Sequence, residues 1–401
     1  MNVKIEKTAY AGKIKAPPSK SAAHRRLICA ALAEGESVIH GISESEDMKA
    51  TLDCISAMGA SWEKDGDTVK IIGADPKNRA KTIFPCRESG STLRFFIPIA
   101  LLSENEAEMT GSDRLMSRPL EPYEQICVFQ GLDYVLEETS LTLKGPMGSG
   151  HFRLQGDISS QFISGLMFAL PLTDGYSVIE LVPPVMSASY IAMTVLALKE
   201  FGIDVSVTDD NKIIIPGGQK YKSREINVEG DWSNAAFFLA LNALGSEIEI
   251  DGLDRNTLQG DSVIIRLLGR LGRGRPVIDI SDCPDLAPVL MAVGAALNGV
   301  VLTNTDRLKI KESDRGSAMA EELSKLGVEV MLGDNEITVN APDKLKTPTV
   351  PLCSHNDHRI VMACAVILSL TGGEIEGCEA VNKSFPNFFE MLGSLEKLEL
   401  Y

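Results

Sequence analysis

Six stretches of this chain share one pattern. A polar cap rich in Gly, Ser, Asp and Asn leads into a run that is almost wholly apolar. Lys20-Ser21-Ala22-Ala23-His24-Arg25-Arg26 leads into residues 27–32, and Glu88-Ser89-Gly90-Ser91-Thr92-Leu93-Arg94 into 95–102. Gly156-Asp157-Ile158-Ser159-Ser160-Gln161 leads into 162–170, and Gly230-Asp231-Trp232-Ser233-Asn234 into 235–244. Ser281-Asp282-Cys283-Pro284-Asp285 leads into 286–297, and Ser354-His355-Asn356-Asp357-His358-Arg359 into 360–370. Prolines ahead of the first run, with Ser19 or Ser21 as N-cap, mark a helix start. A helix that is apolar on every face has to be buried.

Each buried helix is followed by a strand-like segment, as at 37–40, 176–181 and 300–303. An amphipathic helix comes next: 48–58, 120–129, 189–201, 261–271, 315–326 and 387–398. Four of these close at Gly59, Gly202, Gly272 or Gly327, the expected C-cap. Hairpins follow, clearest at 61–64 with 68–72, 204–207 with 212–215, and 329–332 with 336–339. The period is helix, strand, helix, strand, strand. Six copies predict an α/β fold with pseudo-symmetric packing around an axis, three units to a domain. The joint between units three and four falls near 216–228. A leading strand at 2–6 is placed to pair with the last units, which makes one domain discontinuous.

Composition narrows the class. The chain has 401 residues, 44% of them hydrophobic, which is enough for two cores. Its formal net charge of −16 makes nucleic acid and anionic membrane poor partners and sets local basic clusters apart. The 8 Cys show no CxxC spacing, and Cys29 and Cys364 lie in apolar runs, so they read as reduced core residues. His355 and His358 lack a further ligand set, and no metal is expected. The N-terminus has no apolar signal region, and the longest apolar runs are too short to span a bilayer, so a soluble cytoplasmic protein is expected.

The chemistry sits at the helix heads. A helix N-terminus offers free N–H groups and positive potential, which suits anions. Lys20, Arg25, Arg94, Arg118, Lys311, Arg315, Arg359 and Lys383 lie at or near such heads, so a ligand with several negative groups is implied. Ser159-Ser160-Gln161 gathers two hydroxyls and an amide, more than an ordinary Ser cap requires. Asp285 and Glu312 are acids among these cations and are candidates for proton transfer, and His358 is a candidate lining residue.

These residues resemble the 5-enolpyruvylshikimate-3-phosphate synthase family of enolpyruvyl transferases over essentially the whole chain. The motifs are Ser19-Lys20-Ser21 with Arg25, Gly90-Ser91-Thr92-Leu93-Arg94, Arg118-Pro119, Gly156 to Phe162, Lys311-Glu312-Ser313-Asp314-Arg315, Asn356-Asp357-His358-Arg359 and Lys383-Ser384-Phe385-Pro386. The resemblance implies two similar domains of three βαβαββ units each, an inside-out α/β barrel, with the active site in the cleft between them. Residues 15–228 would form one domain, and 1–14 with 229–401 the other. The implied reaction moves the enolpyruvyl group of phosphoenolpyruvate to the 5-hydroxyl of shikimate 3-phosphate, with no cofactor and no covalent enzyme intermediate.

By matching motif, the shikimate 3-phosphate site would use Lys20, Ser21, Arg25, Ser159, Ser160, Gln161, Ser187, Tyr190, Asp285 and Lys311. The phosphoenolpyruvate site would use Lys20, Gly90, Arg94, Arg118, Gln161, Arg315, Arg359 and Lys383. Asp285, Glu312 and Lys20 are the implied proton-handling groups. Three positions depart from the family pattern: Pro18 replaces a frequent Gly, Glu88 a common Asn, and Ser91 a Thr. A carboxylate at 88 would weaken an anion site, which bears on affinity and on sensitivity to the family inhibitor glyphosate. A monomer is the family expectation. The competing identities are the sister enzyme acting on UDP-N-acetylglucosamine and a non-catalytic binding protein built on repeats. The first carries a loop Cys that 106–119 lacks, and the second leaves the charged helix heads unexplained.

Overall fold

The computed structural model describes residues 1–398. The chain divides into two compact units: Pro18–Glu229 is continuous, and Met1–Pro17 joins the chain from Gly230 onward. We refer to them as the inserted unit and the split unit. The crossings lie at 17/18 and 229/230 rather than at 14/15 and 228/229. Strand pairing explains the first shift. Ala9–Lys15 runs parallel to Glu247–Asp251, and the Ala16 amide continues that ladder by donating to the Asp251 carbonyl at 2.8 Å.

In the inserted unit the buried helices Lys20–Ala31, Gly90–Ala100 and Ser160–Ala169 begin at intervals of 70 residues. Ser19, Ser89 and Ser159 cap them, each accepting a bond from a first-turn amide, so each polar head is where the sequence places it. Each is followed by a strand, an outer helix (Glu46–Met58, Glu121–Gln130, Ala188–Glu200) and a hairpin. The three resulting four-stranded sheets share one order, with the first pair parallel and the other two antiparallel. The edge strand of the first sheet is Glu225–Asn227, the chain's exit from the unit, so the threefold arrangement closes on itself. Gly73, Gly145 and Gly217, spaced by 72 residues, carry the chain across the C-terminal ends of the three helices. A β-carbon at these positions would overlap the carbonyl oxygens of Ala33, Leu101 and Thr173, so glycine is required there.

The split unit builds on the buried helices Trp232–Ala243, Ala287–Ala296 and His358–Thr371. Among the described residues, one of its sheets repeats the four-strand order, Val277–Asp279, Val300–Thr303, Glu336–Asn340, Glu329–Leu332. Chain ends complete the other two. Val3–Ile5 pairs antiparallel with Gly373–Glu376, and Ala9–Lys15 lies between Glu247–Asp251 and Glu396–Leu398.

Four expectations change here. Residues 387–398 are not one helix: Phe388–Gly393 is helical, and Glu396–Leu398 leaves it to pair with Ala9–Ala11. The helix expected at 261–271 is preceded by a 3-10 turn, Gly260–Val263, and is α-helical only over Ile264–Leu271. Gly59, Gly202 and Gly327 take the left-handed φ of a glycine cap, but Gly272 stays right-handed at −67°. The strand expected at 204–207 is shorter, Ser206–Val207.

All eight Cys are free thiols, and seven are buried. No helix among the described residues is long and apolar enough to cross a membrane.

Candidate active site

Lys20 opens the first helix of the inserted unit, and its ammonium pairs with Asp47 at 2.8 Å. One turn on, Arg25 is buried and held by neutral acceptors. Its Nε donates to Thr194 Oγ1 (2.8 Å), its Nη1 to the Ser21 carbonyl (2.7 Å) and its Nη2 to the Tyr190 carbonyl (3.0 Å). The guanidinium also lies over the Phe95 and Tyr190 rings. Burial pulls the Arg25 pKa down to about 10, and it stays charged at neutral pH. His24, between these cations in sequence, is buried too. Burial first, then Lys20 and Arg25, hold its pKa well below the ordinary value, so it is neutral. Its Nδ1 meets Thr51 Oγ1 at 2.7 Å, Thr51 meets Thr92 at 2.8 Å, and Thr92 donates to Ser89 Oγ at 2.8 Å. This hydroxyl chain ties the Lys20 head to the Gly90 head.

The second and third heads are joined as well. Arg94 Nη1 donates to Gln161 Oε1 (2.8 Å), its Nη2 to the Pro119 carbonyl (3.1 Å), and its guanidinium lies 4.9 Å from the Phe162 ring centroid. Gln161 Nε2 donates to Ser91 Oγ at 2.8 Å. Gly90 lets the Arg118 guanidinium lie against the backbone, because a β-carbon would overlap it. Ser160 is buried, and Ser187 is buried with φ +55° at the start of the helix that carries Tyr190. Lys20, Ser21, Arg25, Gly90, Arg94, Arg118, Ser159, Ser160 and Gln161 thus lie at the heads of the three helices or on segments that touch them. Glu88 is exposed.

The split unit brings together Asp285, Lys311, Glu312, Arg315 and Arg359. Arg315 is 1% exposed and binds three carboxylates: Nη1 to Asp285 (2.7 Å), Nη2 to Glu312 (2.7 Å) and Nε to Asp357 (2.9 Å). Asp285 also lies 3.4 Å from Lys311 Nζ and 3.3 Å from Arg359 Nη2. Burial alone would raise its pKa, but Lys311, Arg359 and Arg315 outweigh that and hold it well below the carboxylate range. Burial pulls Lys311 down to about 8 against the raising effect of Asp285. Arg359 donates to the Ser233 carbonyl (2.9 Å) and to Ser233 Oγ (2.7 Å), and Lys383 Nζ to the Asn356 carbonyl (2.7 Å). His358 is buried, its Nδ1 3.8 Å from Asp357 Oδ1.

Sequence reasoning passed over Asp357, Ser233, Thr194 and Asp47. Asp357 is fully buried, caps Arg359 N at 2.8 Å and grips Arg315. Its signal was present: an Asp one residue before an apolar helix is an N-cap, and a cationic neighbour in space gives its second oxygen work. Nothing local marks Thr194 or Asp47, whose partners are 169 and 27 residues away.

A family model described as EPSP synthase (3-phosphoshikimate 1-carboxyvinyltransferase) matches residues 5–277 and 272–392. A 3-phosphoshikimate 1-carboxyvinyltransferase of Clostridium kluyveri is 40% identical over 98% of this chain and 97% of its own. One of Clostridium acetobutylicum is 41% identical over the same shares. Among solved structures, EPSP synthase of Acinetobacter baumannii superposes with a TM-score of 0.78 at 25% identity, covering 99% of this chain and 100% of the other. The enolpyruvyl transferase NikO of Streptomyces tendae shares the fold, with a TM-score of 0.77 at 14% identity over 99% and 97% of the two chains.

Proposed function

The chain belongs to the EPSP synthase (3-phosphoshikimate 1-carboxyvinyltransferase) family, and from that membership we propose how its own residues divide the work. The reaction adds the 5-hydroxyl oxygen of shikimate 3-phosphate to C2 of phosphoenolpyruvate while C3 gains a proton. Loss of that proton and of phosphate then gives the enolpyruvyl ether. Our reading is that the helix heads of both units serve this one reaction. Its main support is the contrast between buried arginines: Arg25 and Arg94 of one unit are held by hydroxyls, carbonyls and an amide, Arg315 of the other by three carboxylates.

Lys20, Ser21, Arg25, Ser159, Ser160, Gln161, Ser187 and Tyr190 take the shikimate 3-phosphate, its phosphate at the Ser159-Ser160 head. Arg25 serves largely through others, because its fork fixes the Ser21 and Tyr190 backbones. Arg94 likewise holds Gln161 and the turn after Arg118. Arg118, Arg315, Arg359 and Lys383 with Gly90 take the phosphoenolpyruvate anion.

Asp285 accepts the 5-hydroxyl proton. In its substrate-free setting it is a poor base, being held ionised by three cations. Substrate anions draw Lys311 and Arg359 toward themselves, so the Asp285 pKa rises when the proton must be taken. Glu312 and Lys20 handle the proton at C3 and the leaving phosphate, and the cations stabilise developing negative charge. Cytoplasmic location and a monomeric state go with this reading, and size-exclusion chromatography checks the second.

The direct test is phosphate release from phosphoenolpyruvate with shikimate 3-phosphate or UDP-N-acetylglucosamine as acceptor. Release with the first alone is expected. Release with the nucleotide sugar alone would overturn the assignment of Ser159, Ser160 and Gln161.

A further inference from the structure

The segment Ser354-His355-Asn356-Asp357 enters the His358–Thr371 helix through two successive left-handed residues, His355 at φ +48° and Asn356 at φ +53°. Neither is glycine, so each conformation costs free energy and persists only where surrounding contacts over-determine it. What the segment delivers is central. Its Asn356 carbonyl receives Lys383, Asp357 grips Arg315 and Ser313, and Arg359 follows at the helix head.

The Ser354 amide donates to the Glu376 carbonyl and the Asp357 amide to the Ser354 carbonyl, and Glu322 adds a side-chain anchor at the segment's start. This residue sits on the helix Arg315–Ser324, whose first residue is itself in the site, and is 1% exposed. One carboxylate oxygen accepts from the Cys353 amide (2.8 Å) and from Lys325 Nζ (2.8 Å); the other meets His355 Nε2 at 2.7 Å. Two of those three donors belong to the residue before the segment and to its first left-handed residue. A buried carboxylate with three donors is a strong, directional anchor. Glu321 lies 4.0 Å from His355, so Glu321, Glu322 and His355 form a group of metal-ligand type. One Glu322 oxygen is already engaged by Lys325 and by the Cys353 amide, and the other by His355, and a cation would have to displace them.

We propose that Glu322, through Cys353 and His355, is a positioning residue that locks the 354–357 segment and so presents Lys383 and Arg359, and Arg315 through Asp357, to the phosphoenolpyruvate anion. This rests on the functional reading above for what the presented groups bind, but the lock itself does not. Glu322→Gln keeps the shape and removes the charge, and its amide turns a donor toward donors.

Two readouts are needed. In steady-state kinetics, Glu322→Gln is expected to raise KM for phosphoenolpyruvate about tenfold, while KM for shikimate 3-phosphate stays within about twofold. Most of that acceptor's proposed contacts lie in the other unit. In hydrogen–deuterium exchange, amides of 353–359 in Glu322→Gln should exchange about tenfold faster, with the Ala287–Ala296 helix unchanged. His355→Phe removes one donor and keeps the carboxylate. It is expected to give the same pattern at about threefold, and it serves if Glu322→Gln does not fold. Wild-type exchange over 353–359 in a folded variant, or an equal rise in both KM values, overturns the proposal. If wild-type protein releases no phosphate, the functional reading fails, and the exchange contrast still decides the lock.

Discussion

The two units solve one electrostatic problem in opposite ways. Each gathers buried cations at the heads of buried helices. In the inserted unit Arg25 and Arg94 are satisfied by hydroxyls, carbonyls and an amide. Neutral partners hold the guanidinium but leave its charge in place. In the split unit Arg315 faces Asp285, Glu312 and Asp357, so much of its charge is cancelled locally. The first arrangement keeps a standing positive field, which the proposed function assigns to a phosphorylated ligand. The second keeps a carboxylate within reach of three cations that a ligand can compete for. On the reading proposed above, repetition of one fold yields an anion receptor and a proton-handling centre, and the difference lies in a few partner residues.

The largest expected effect follows from removing the carboxylate at the centre of that contrast. Asp285→Asn should lower kcat about 10³-fold with far smaller changes in KM, measured by phosphate release. A comparable rise in both KM values with kcat intact would make Asp285 a mere neutraliser of Lys311 and Arg315. The next test sets one arginine in each unit against the other. Arg25→Lys keeps the charge but cannot span Thr194, Ser21 and Tyr190, so KM for shikimate 3-phosphate should rise about 30-fold, roughly 2 kcal/mol. Arg359→Lys loses the two bonds to Ser233 and loosens its hold on Asp285. Asp285 is then less strongly held below the carboxylate range, and the acid limb of the kcat/KM profile should move to higher pH. If both variants changed only KM, the contrast between receptor and proton centre would fail.

Much of this was legible beforehand, for a physical reason. A helix apolar on every face announces its burial, and a polar cap announces its head, so the six helices and most residues at their heads are local features. Of Ser19 and Ser21 the first is the cap, and Ser89 and Ser159 cap from within the polar stretches ahead of their apolar runs. What escaped depends on distant partners. Ala9–Lys15 becomes a strand because Glu247–Asp251 and Glu396–Leu398 flank it, and 396–398 leaves a helical pattern for the same ladder. Asp47 is unremarkable on its own helix and matters because Lys20 reaches it. That neutral groups hold Arg25 and Arg94 while carboxylates hold Arg315 is equally a matter of tertiary pairing, and the motifs alone do not carry it.

A gentler test uses Lys311, whose partly buried ammonium has its pKa pushed down to about 8. Below that pH it is protonated and able to bind an anion; above it, the neutral amine predominates. The free enzyme's kcat/KM for shikimate 3-phosphate should therefore be level up to about pH 8 and then fall toward tenfold per unit. Lys311→Arg keeps its charge through this range and should flatten that limb at some cost in absolute rate. An unchanged alkaline limb would assign the titration to another group and weaken the case for a ligand-competed Asp285.

The smallest effect is the most pointed, because it should improve binding. Asp47 is the carboxylate paired with Lys20 at the heads of the inserted unit, and both side chains are mostly buried, at 11% and 15% exposed. If that unit works by a standing positive field, the pair costs it some of that field. Asp47→Asn keeps a hydrogen-bond acceptor for Lys20 and removes one negative charge, so KM for shikimate 3-phosphate should fall about threefold, about 0.6 kcal/mol. The gain should shrink as salt is raised toward 1 M, where charges more than about 3 Å apart are screened. A KM that rises instead would mean that Asp47 aims the Lys20 ammonium, so that geometry outranks field strength there. The inserted unit would then depend on a carboxylate, as the split unit does, and the two units would differ in degree only.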